Sequence, residues 1–403
     1  MFAYDVAHPD RFLHADRAYQ RLQTILGLPA AASSGEAGSY IATHGILGDW
    51  LPQGLFYLVG GQYLVITVQV LLALFSVVWL RDLGLRLGLA RNRASAAALL
   101  YALLPHTLVF PHQLASEAIF VPLVILAFRA ASANAGLAIG LATLVRPLTL
   151  LWPFAHALAL PSRKARRQLL VLAFVPLGLW MGFEYRQTGE LSLGRSDHDL
   201  GSNLYQRMQR IAASLPHGEP LAAGETRASL AEYARFVAAY PGPAARHAAR
   251  DLAALAAKSG IERLTLDYLD LFPTARTRIQ DSGSGWRVRA EQIGIAVELA
   301  DLFRQQPGLV ATSLTGALLC LAFTVGAALG ALRWLRTRRT APRQMSVDRL
   351  LLCSFVVYVF ATALCVDAAQ SRHRAPAEFA LCLLAVAGLA QRRHRFLETL
   401  HVR

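Results

Sequence analysis

Long blocks of apolar residues, joined by short polar connections, make up most of the chain. The blocks cover 55–80, 94–110, 118–131, 135–160, 168–183, 308–332, 350–366 and 377–391. A helix that crosses the hydrocarbon core of a membrane needs about 20 mostly apolar residues, and several blocks approach or exceed that length. A mostly polar stretch, 184–307, separates the last three blocks from the others. The pattern predicts an all-α polytopic membrane protein with a helical domain outside the membrane.

The block at 135–160 contains Arg146 followed by Pro147. Proline disfavours a continuous helix at this point, so the block is interpreted as two short segments. The chain then has about nine spans, and most basic residues of the short connections fall on one side. The short connections of the other side contain only Arg146, Arg372 and Arg374. Because cytoplasmic loops are rich in Lys and Arg, we expect the arginine-rich side to face the cytoplasm.

This topology divides the chain into five parts. We expect an outer first-loop segment with an interfacial helix at 1–53, an N-terminal transmembrane bundle at 54–183, an outer helical domain at 184–307, C-terminal transmembrane helices at 308–391 and a cytoplasmic tail at 392–403. No apolar segment precedes the outer first loop to carry it across the membrane. We expect that an upstream first span is missing from this sequence; the alternative is that the short tail crosses unaided.

The composition agrees with a membrane protein and excludes other classes. Hydrophobic residues make up 55% of the chain and charged residues 16%, with a mean hydropathy of +0.37. A typical globular protein has about 25% charged residues. Disordered chains, coiled coils and small disulfide-linked scaffolds are therefore excluded. The net charge of +14 suggests nucleic acid binding, but the basic residues cluster between apolar blocks and are better explained as topology signals.

Motifs for soluble cofactors and metals are missing from the sequence. There is no GxGxxG, GxxxxGK[ST] or HExxH, so dinucleotide, P-loop and zinc-protease functions lack support. The four cysteines lie inside apolar blocks without the spacing of a metal site. No cofactor or metal site is predicted, and a requirement for a divalent metal stays open.

Two acidic residues are candidates for chemistry on the outer side. Asp16 lies with Tyr19 on a short amphipathic helix near the N-terminus, and Glu117 opens the third span. Each has a simpler explanation. Asp16 is consistent with a surface carboxylate, and Glu117 with an acid at a helix N-terminus that Ser116 caps.

Arg372 and Arg374 form a basic cluster in a short outer loop. The topology rule predicts few arginines on the outer side. Their presence there therefore favours a specific role for the pair. A guanidinium group binds phosphate through two parallel hydrogen bonds. The pair is therefore a candidate phosphate site.

The order of these motifs resembles the bacterial GT-C glycosyltransferases, which are related to protein O-mannosyltransferases and to the aminoarabinose transferase of lipid A. The matching stretches are 16–19 (DRAY), 114–120 (LASEAIF), 140–147 (GLATLVRP) and 371–376 (SRHRAP), with weaker similarity at 184–189, 201–205 and 236–241. Two positions depart from the family pattern. Arg17 replaces a second acid, and His373 stands where relatives often have tyrosine.

The resemblance implies a GT-C-like bundle in the bacterial inner membrane with its active site facing the periplasm. It implies an inverting transferase that moves a sugar from a polyprenyl-phosphate donor to a hydroxyl of a glycolipid, polysaccharide or protein. Asp16 would be the general base, and Arg372 and Arg374 would bind phosphate. The further substrate-binding candidates are Tyr19, Glu117 and Lys258.

Two other functions stay open from the sequence. One is a transporter or flippase of lipid-linked sugars. The other is an inactive relative that binds prenyl phosphate or acts as a scaffold. Sugar, acceptor and oligomeric state are not determined by the sequence.

Overall fold

The computed structural model describes residues 47–112, 116–130, 132–188, 196–215, 227–257, 259–261, 306–337, 341–365 and 374–389, and residues 264, 265, 269, 271 and 304. Within this part the structure is helical, which confirms the predicted fold class at that level. The helices, in chain order, are α1 (Leu47–Arg86), α2 (Arg91–Ala102), α3 (Pro105–Val109), α4 (Glu117–Ala130), α5 (Ala135–Val145), α6 (Trp152–Ala159), α7 (Arg163–Thr188), α8 (Ser196–Ala213), α9 (Leu230–Ala239), α10 (Pro241–Ala257), α11 (Pro307–Arg336), α12 (Arg343–Cys365) and α13 (Ala375–Leu389).

Among the residues that the structure describes, three helical segments are long and apolar enough to cross a membrane. They are Tyr63–Arg86, Pro307–Arg336 and Arg343–Ala363. A fourth crossing results if Arg91–Ala102 and Pro105–His112, which meet at a bend of 62°, form one broken span. Large apolar side chains on α11 are exposed, including Leu314, Leu318, Leu329 and Leu332. Such a face needs an apolar environment, so the chain is a helical membrane protein.

The predicted number of nine spans is not confirmed. Helix α5 has 11 residues and α6 has 8. At 1.5 Å per residue, both are much shorter than a hydrocarbon core of about 30 Å. The prediction of two separate segments at 135–160 is confirmed, because Arg146 between them is extended with φ −149° and ψ 123°. Helix α1 is also broken, at Gly60 and Gly61, so its candidate span begins at Tyr63 and not at the predicted residue 55.

Small residues allow two pairs of helices to pack with their backbones close together. In α5, Gly136 and Gly140 face the carbonyl groups of Leu169 and Ala173 on α7, and a Cβ at either glycine would overlap those carbonyls. The spacing is the small-xxx-small pattern that membrane helices use for close approach.

The same pattern joins α11 to α13, the pair with the most extensive contact in the bundle. Gly330 of α11 lies directly against the carbonyl of Leu384, and Gly388 of α13 lies against the carbonyl of Gly326. Glycines therefore fix the distance between backbones in two different parts of the bundle.

A cluster of aromatic rings fills the space between α4, α6, α12 and α13. The rings of Phe128 and Phe355 have centroids 5.3 Å apart, and Trp152 lies 5.0 Å from Phe355. Phe379 lies 5.6 Å from Phe128. Edge-on and tilted contacts of this kind add to the energy of apolar burial. The cluster links four helices, three of which have 15 residues or fewer.

Arginine side chains cap helix ends at one end of the bundle, here called the Arg86 end. Arg86 donates a hydrogen bond of 2.5 Å to the carbonyl of Arg129, at the C-terminus of α4. The last carbonyls of a helix have no partner within it, and a basic side chain also favours the negative end of the helix dipole. Three further arginines do the same for other helices: Arg166 to Leu160 (2.8 Å), Arg333 to Ala387 (2.8 Å) and Arg349 to Leu87 (2.9 Å).

Helices α8, α9 and α10 form a small cluster within the predicted outer domain. An ion pair of 3.1 Å between Arg207 and Asp251 links α8 to α10. Ser229 and Glu232 form a capping box at the start of α9. Hydrogen bonds from the backbone amide and hydroxyl of Ser229 lower the pKa of Glu232. The capping box joins residues three apart in sequence, whereas the ion pair joins separate helices.

We predict that Gly330→Ala destabilises the protein by about 1–3 kcal/mol, because the added Cβ forces α11 and α13 apart. The measurement is thermal unfolding of the detergent-solubilised protein. The matched control is Gly178→Ala in α7, where a Cβ meets no other atom. We expect no loss of stability in the control; equal losses in both variants would contradict the packing role of Gly330.

Candidate functional site

Several charged or titratable side chains meet at the end of the bundle opposite the Arg86 end, in the part of the chain that the structure describes. They are His106, Glu117, Arg146, Arg374 and Glu378, and this region is here called the Glu117 end. Helix α4 connects the two ends, since it begins at Glu117 and Arg129 lies in its last turn. Its 14 residues separate the two polar regions by about 20 Å.

Glu117, at the start of α4, forms an ion pair with Arg146, which lies in the break between α5 and α6. Arg146 Nη1 lies 2.5 Å from Glu117 Oε1, and the Glu117 side chain is only 6% exposed. Glu117 lies in the first turn of α4, where a negative charge is favoured by the helix dipole. Arg146 reaches it because the extended backbone before Pro147 interrupts the helix. Glu117 therefore lies at a helix N-terminus and also has a charged partner.

A second buried network joins α3 to the start of α13. His106 Nδ1 lies 2.8 Å from Glu378 Oε1. Arg374 Nε lies 3.8 Å from the same oxygen, one helical turn before Glu378. All three side chains are 2% exposed. A buried charge is tolerated when it is paired, so each group depends on the others for its stability in this position.

Arg374 also anchors the end of α10 to the bundle. Its Nη1 donates to the carbonyl of Ala256 at 3.3 Å, and it contacts Cys320 on α11. Its guanidinium carbon lies 5.5 Å from the centre of the Phe323 ring. The guanidinium group is therefore surrounded by protein groups from several helices.

A small pocket lies between these two networks. Glu117, His106 and Glu378 line it, together with Tyr101, Thr107 and Ala375. The carboxylates and the imidazole face a space whose remaining wall is mostly apolar. The space between them is about 20 Å³, which admits about one water molecule. Carboxylate oxygens accept hydrogen bonds, so these groups suit a partner with hydroxyl groups.

The turn at Gly260 closes over His106. Gly260 has φ +75°, and a Cβ there would overlap the His106 ring. Ser259 stabilises the turn, since its hydroxyl accepts a hydrogen bond of 3.2 Å from the amide of Ile261. A residue other than glycine would be strained in this backbone conformation. The segment after α10 therefore covers one side of the buried network.

The structure describes two of the six residues predicted from the sequence for the site. Glu117 and Arg374 lie at the same end of the bundle, and Ala375, which follows Arg374, lines the pocket with Glu117. Asp16, Tyr19, Lys258 and Arg372 lie outside the described residues. Phosphate binding by Arg374 stays a prediction, because its described contacts are with protein groups.

His106 and Glu378 were not predicted from the sequence as members of the site. Their signal was present: each is a titratable residue within or next to an apolar block. Such residues are costly inside a membrane and commonly functional. Among the described residues, no group of three or more His, Cys, Asp or Glu side chains could hold a metal ion.

Comparison of the chain with protein-family models, curated proteins and solved structures found no match. The class is therefore defined by the structure itself. It is a helical membrane protein with a buried acid, histidine and arginine site at one end of its bundle.

We predict that Glu378→Gln destabilises the protein by about 3–5 kcal/mol, because Arg374 is left buried without its counter-charge. The matched control is Asp82→Asn, which removes the acid of an ion pair of 3.3 Å with Arg129 whose side chains are 39% and 43% exposed. Exposed pairs contribute about 0–1 kcal/mol. Thermal unfolding of both variants compares the two losses, and a control loss as large as that of Glu378→Gln would argue against the buried network.

Proposed function

We propose that this protein is an inverting glycosyltransferase that takes a sugar from a polyprenyl-phosphate donor. The acceptor is a hydroxyl group of a glycolipid, polysaccharide or protein. The proposal combines the sequence resemblance with the geometry of the Glu117 end.

The observation that carries the proposal is the meeting of three separate motifs at one site. The stretch at 114–120 contributes Glu117, the stretch at 140–147 contributes Arg146, and the stretch at 371–376 contributes Arg374. Glu117 contacts Arg146, and it shares a pocket with the residue that follows Arg374. The resemblance requires these stretches to meet on one side of the membrane, so their contact supports it.

The distribution of charge supports an outward-facing site. The Arg86 end is rich in arginine, whereas the described groups of the Glu117 end include two acids and two arginines that form ion pairs. By the positive-inside rule, the Arg86 end would face the cytoplasm and the Glu117 end the outer side. In a bacterial inner membrane, the outer side is the periplasm.

The proposed reaction is a direct displacement at the anomeric carbon. An acceptor oxygen forms the new bond to that carbon while the bond to the phosphate oxygen breaks, which inverts the configuration. The acceptor proton passes to the carboxylate of Asp16, acting as general base. The polyprenyl phosphate leaves with the bonding electrons, and Arg372 and Arg374 are the candidates to stabilise its charge.

Glu117, Glu378 and His106 would hold the sugar or acceptor in this scheme. Their oxygen and nitrogen atoms match the donors and acceptors of sugar hydroxyls. The ion pairs to Arg146 and Arg374 would hold both carboxylates in fixed positions. Tyr19 and Lys258 complete the set of proposed substrate-binding residues.

We predict that Asp16→Asn lowers transfer by about 10²–10⁴-fold, because the acceptor loses its base. The measurement is release of undecaprenyl phosphate from undecaprenyl phosphate mannose and from undecaprenyl phosphate aminoarabinose by the purified protein in lipid nanodiscs. Lipid extracts of bacterial membranes supply the acceptors. The matched control, Asp82→Asn at the Arg86 end, should leave the rate within about twofold of wild type, as expected for an exposed ion pair.

Each competing function gives a different result. A transporter would move the intact lipid-linked sugar across a vesicle membrane without releasing undecaprenyl phosphate. An inactive relative would bind the donor with no turnover. Transfer by Asp16→Asn at the wild-type rate would contradict the role of Asp16 as base.

A further inference from the structure

A groove lies between the C-terminal end of α11 and the N-terminal half of α12, at the Arg86 end. Its volume is about 360 Å³, and it is open on one side. The lining residues are Trp334, Leu335, Ala341, Arg343, Ser346, Val347, Arg349, Leu350 and Cys353. This groove lies at the opposite end of the bundle from the pocket of Glu117, so it is a separate site.

The lining combines positive charge at one end with apolar surface at the other. Arg343 is exposed near the start of α12, while Leu350 and Cys353 lie two to three turns further into the membrane-spanning part of the helix. No acidic side chain is among the described residues that line the groove. The acid nearest in sequence, Asp348, is buried and pairs with Arg86 on another face of α12. The groove therefore favours an anion with an apolar extension.

Arg349 is held in place before any ligand arrives. Its Nε and Nη2 donate to the carbonyl of Leu87 at 3.0 Å and 2.9 Å. Its guanidinium carbon lies 5.2 Å from the centre of the Trp334 ring. An anchored guanidinium loses little conformational freedom when an anion binds beside it.

The position of the groove identifies the source of such an anion. Helices α11 and α12 each contain a segment long and apolar enough to span the membrane. Leu335 and Leu350, which line the groove, are 39% and 51% exposed. Exposed apolar side chains beside spanning helices would contact lipid, and basic pockets between spanning helices bind anionic head groups.

We propose that the groove is a binding site for an anionic glycerophospholipid. Arg343 and Arg349 contact the phosphate, and an acyl chain lies along Val347, Leu350 and Cys353. The site holds a lipid between α11 and α12 where their packing leaves a gap.

The test is retention of lipid by the purified full-length protein, measured by native mass spectrometry with dioleoyl phosphatidylglycerol and dioleoyl phosphatidylcholine. We expect the wild type to prefer phosphatidylglycerol. Arg343→Gln should weaken phosphatidylglycerol binding about fivefold, the loss expected for one arginine near an anionic head group. The matched control is Arg336→Gln, which removes the same charge from the end of α11 outside the groove lining. We expect less than about a twofold change in this control, because its charge does not face the bound phosphate.

A second variant fills the groove without changing charge. Leu350→Trp should remove the preferential retention of phosphatidylglycerol, while size-exclusion chromatography confirms that the protein stays folded. Unchanged retention in this variant, or equal effects of Arg343→Gln and Arg336→Gln, would overturn the proposal.

Other occupants of the groove give their own results. Competition by inorganic phosphate at millimolar concentration, or a preference for undecaprenyl phosphate over phosphatidylglycerol, would assign the site to a different ligand and overturn the proposal. Tighter phosphatidylglycerol binding after deletion of residues 391–403 would assign the groove to the C-terminal tail, with the same consequence.

Discussion

The need to satisfy polar groups at the ends of short helices dominates the structure. Helices α4, α5, α6 and α13 have only 8 to 15 residues, so they end before a span of normal length would reach water. Backbone carbonyls that end inside a bundle need partners from elsewhere in the protein. Arginine supplies them at the Arg86 end, where Arg86 and Arg333 donate to the last carbonyls of neighbouring helices. These contacts hold the ends of α4 and α13 against α1 and α11.

At the Glu117 end, the buried polar groups are satisfied in a different way. There the buried groups are paired charges, Glu117 with Arg146 and Glu378 with Arg374 and His106. Burying such groups is expensive, and apolar residues of similar size would often be at least as stable. A protein that keeps them in a membrane bundle commonly uses them for a ligand or a reaction. The proposed glycosyltransferase site therefore coincides with the buried charged groups, which are costly to the stability of the fold.

The two ends of the bundle would have different roles for an enzyme in a membrane. A site for a lipid-linked sugar needs access from the bilayer and a polar environment for the sugar, and the pocket beside Glu117 combines an apolar wall with carboxylates. The groove beside Arg343 lies at the far end of the bundle, and the described part of its lining contains no acid. A structural lipid at that position would support α11 and α12 without competing with the reaction.

The sequence by itself determined the features that depend on neighbouring residues. Apolar blocks gave the helices, Pro147 gave the break after α5, and the motif at 114–120 indicated Glu117 at a helix start. The tertiary structure alone decided which side chains meet. Glu378 and His106 are 272 residues apart, and their contact depends on how α13 packs against the helices that surround its first turn. Helix formation is governed by local spacing and propensity, whereas such pairings depend on the distances between backbones that glycines such as Gly330 set.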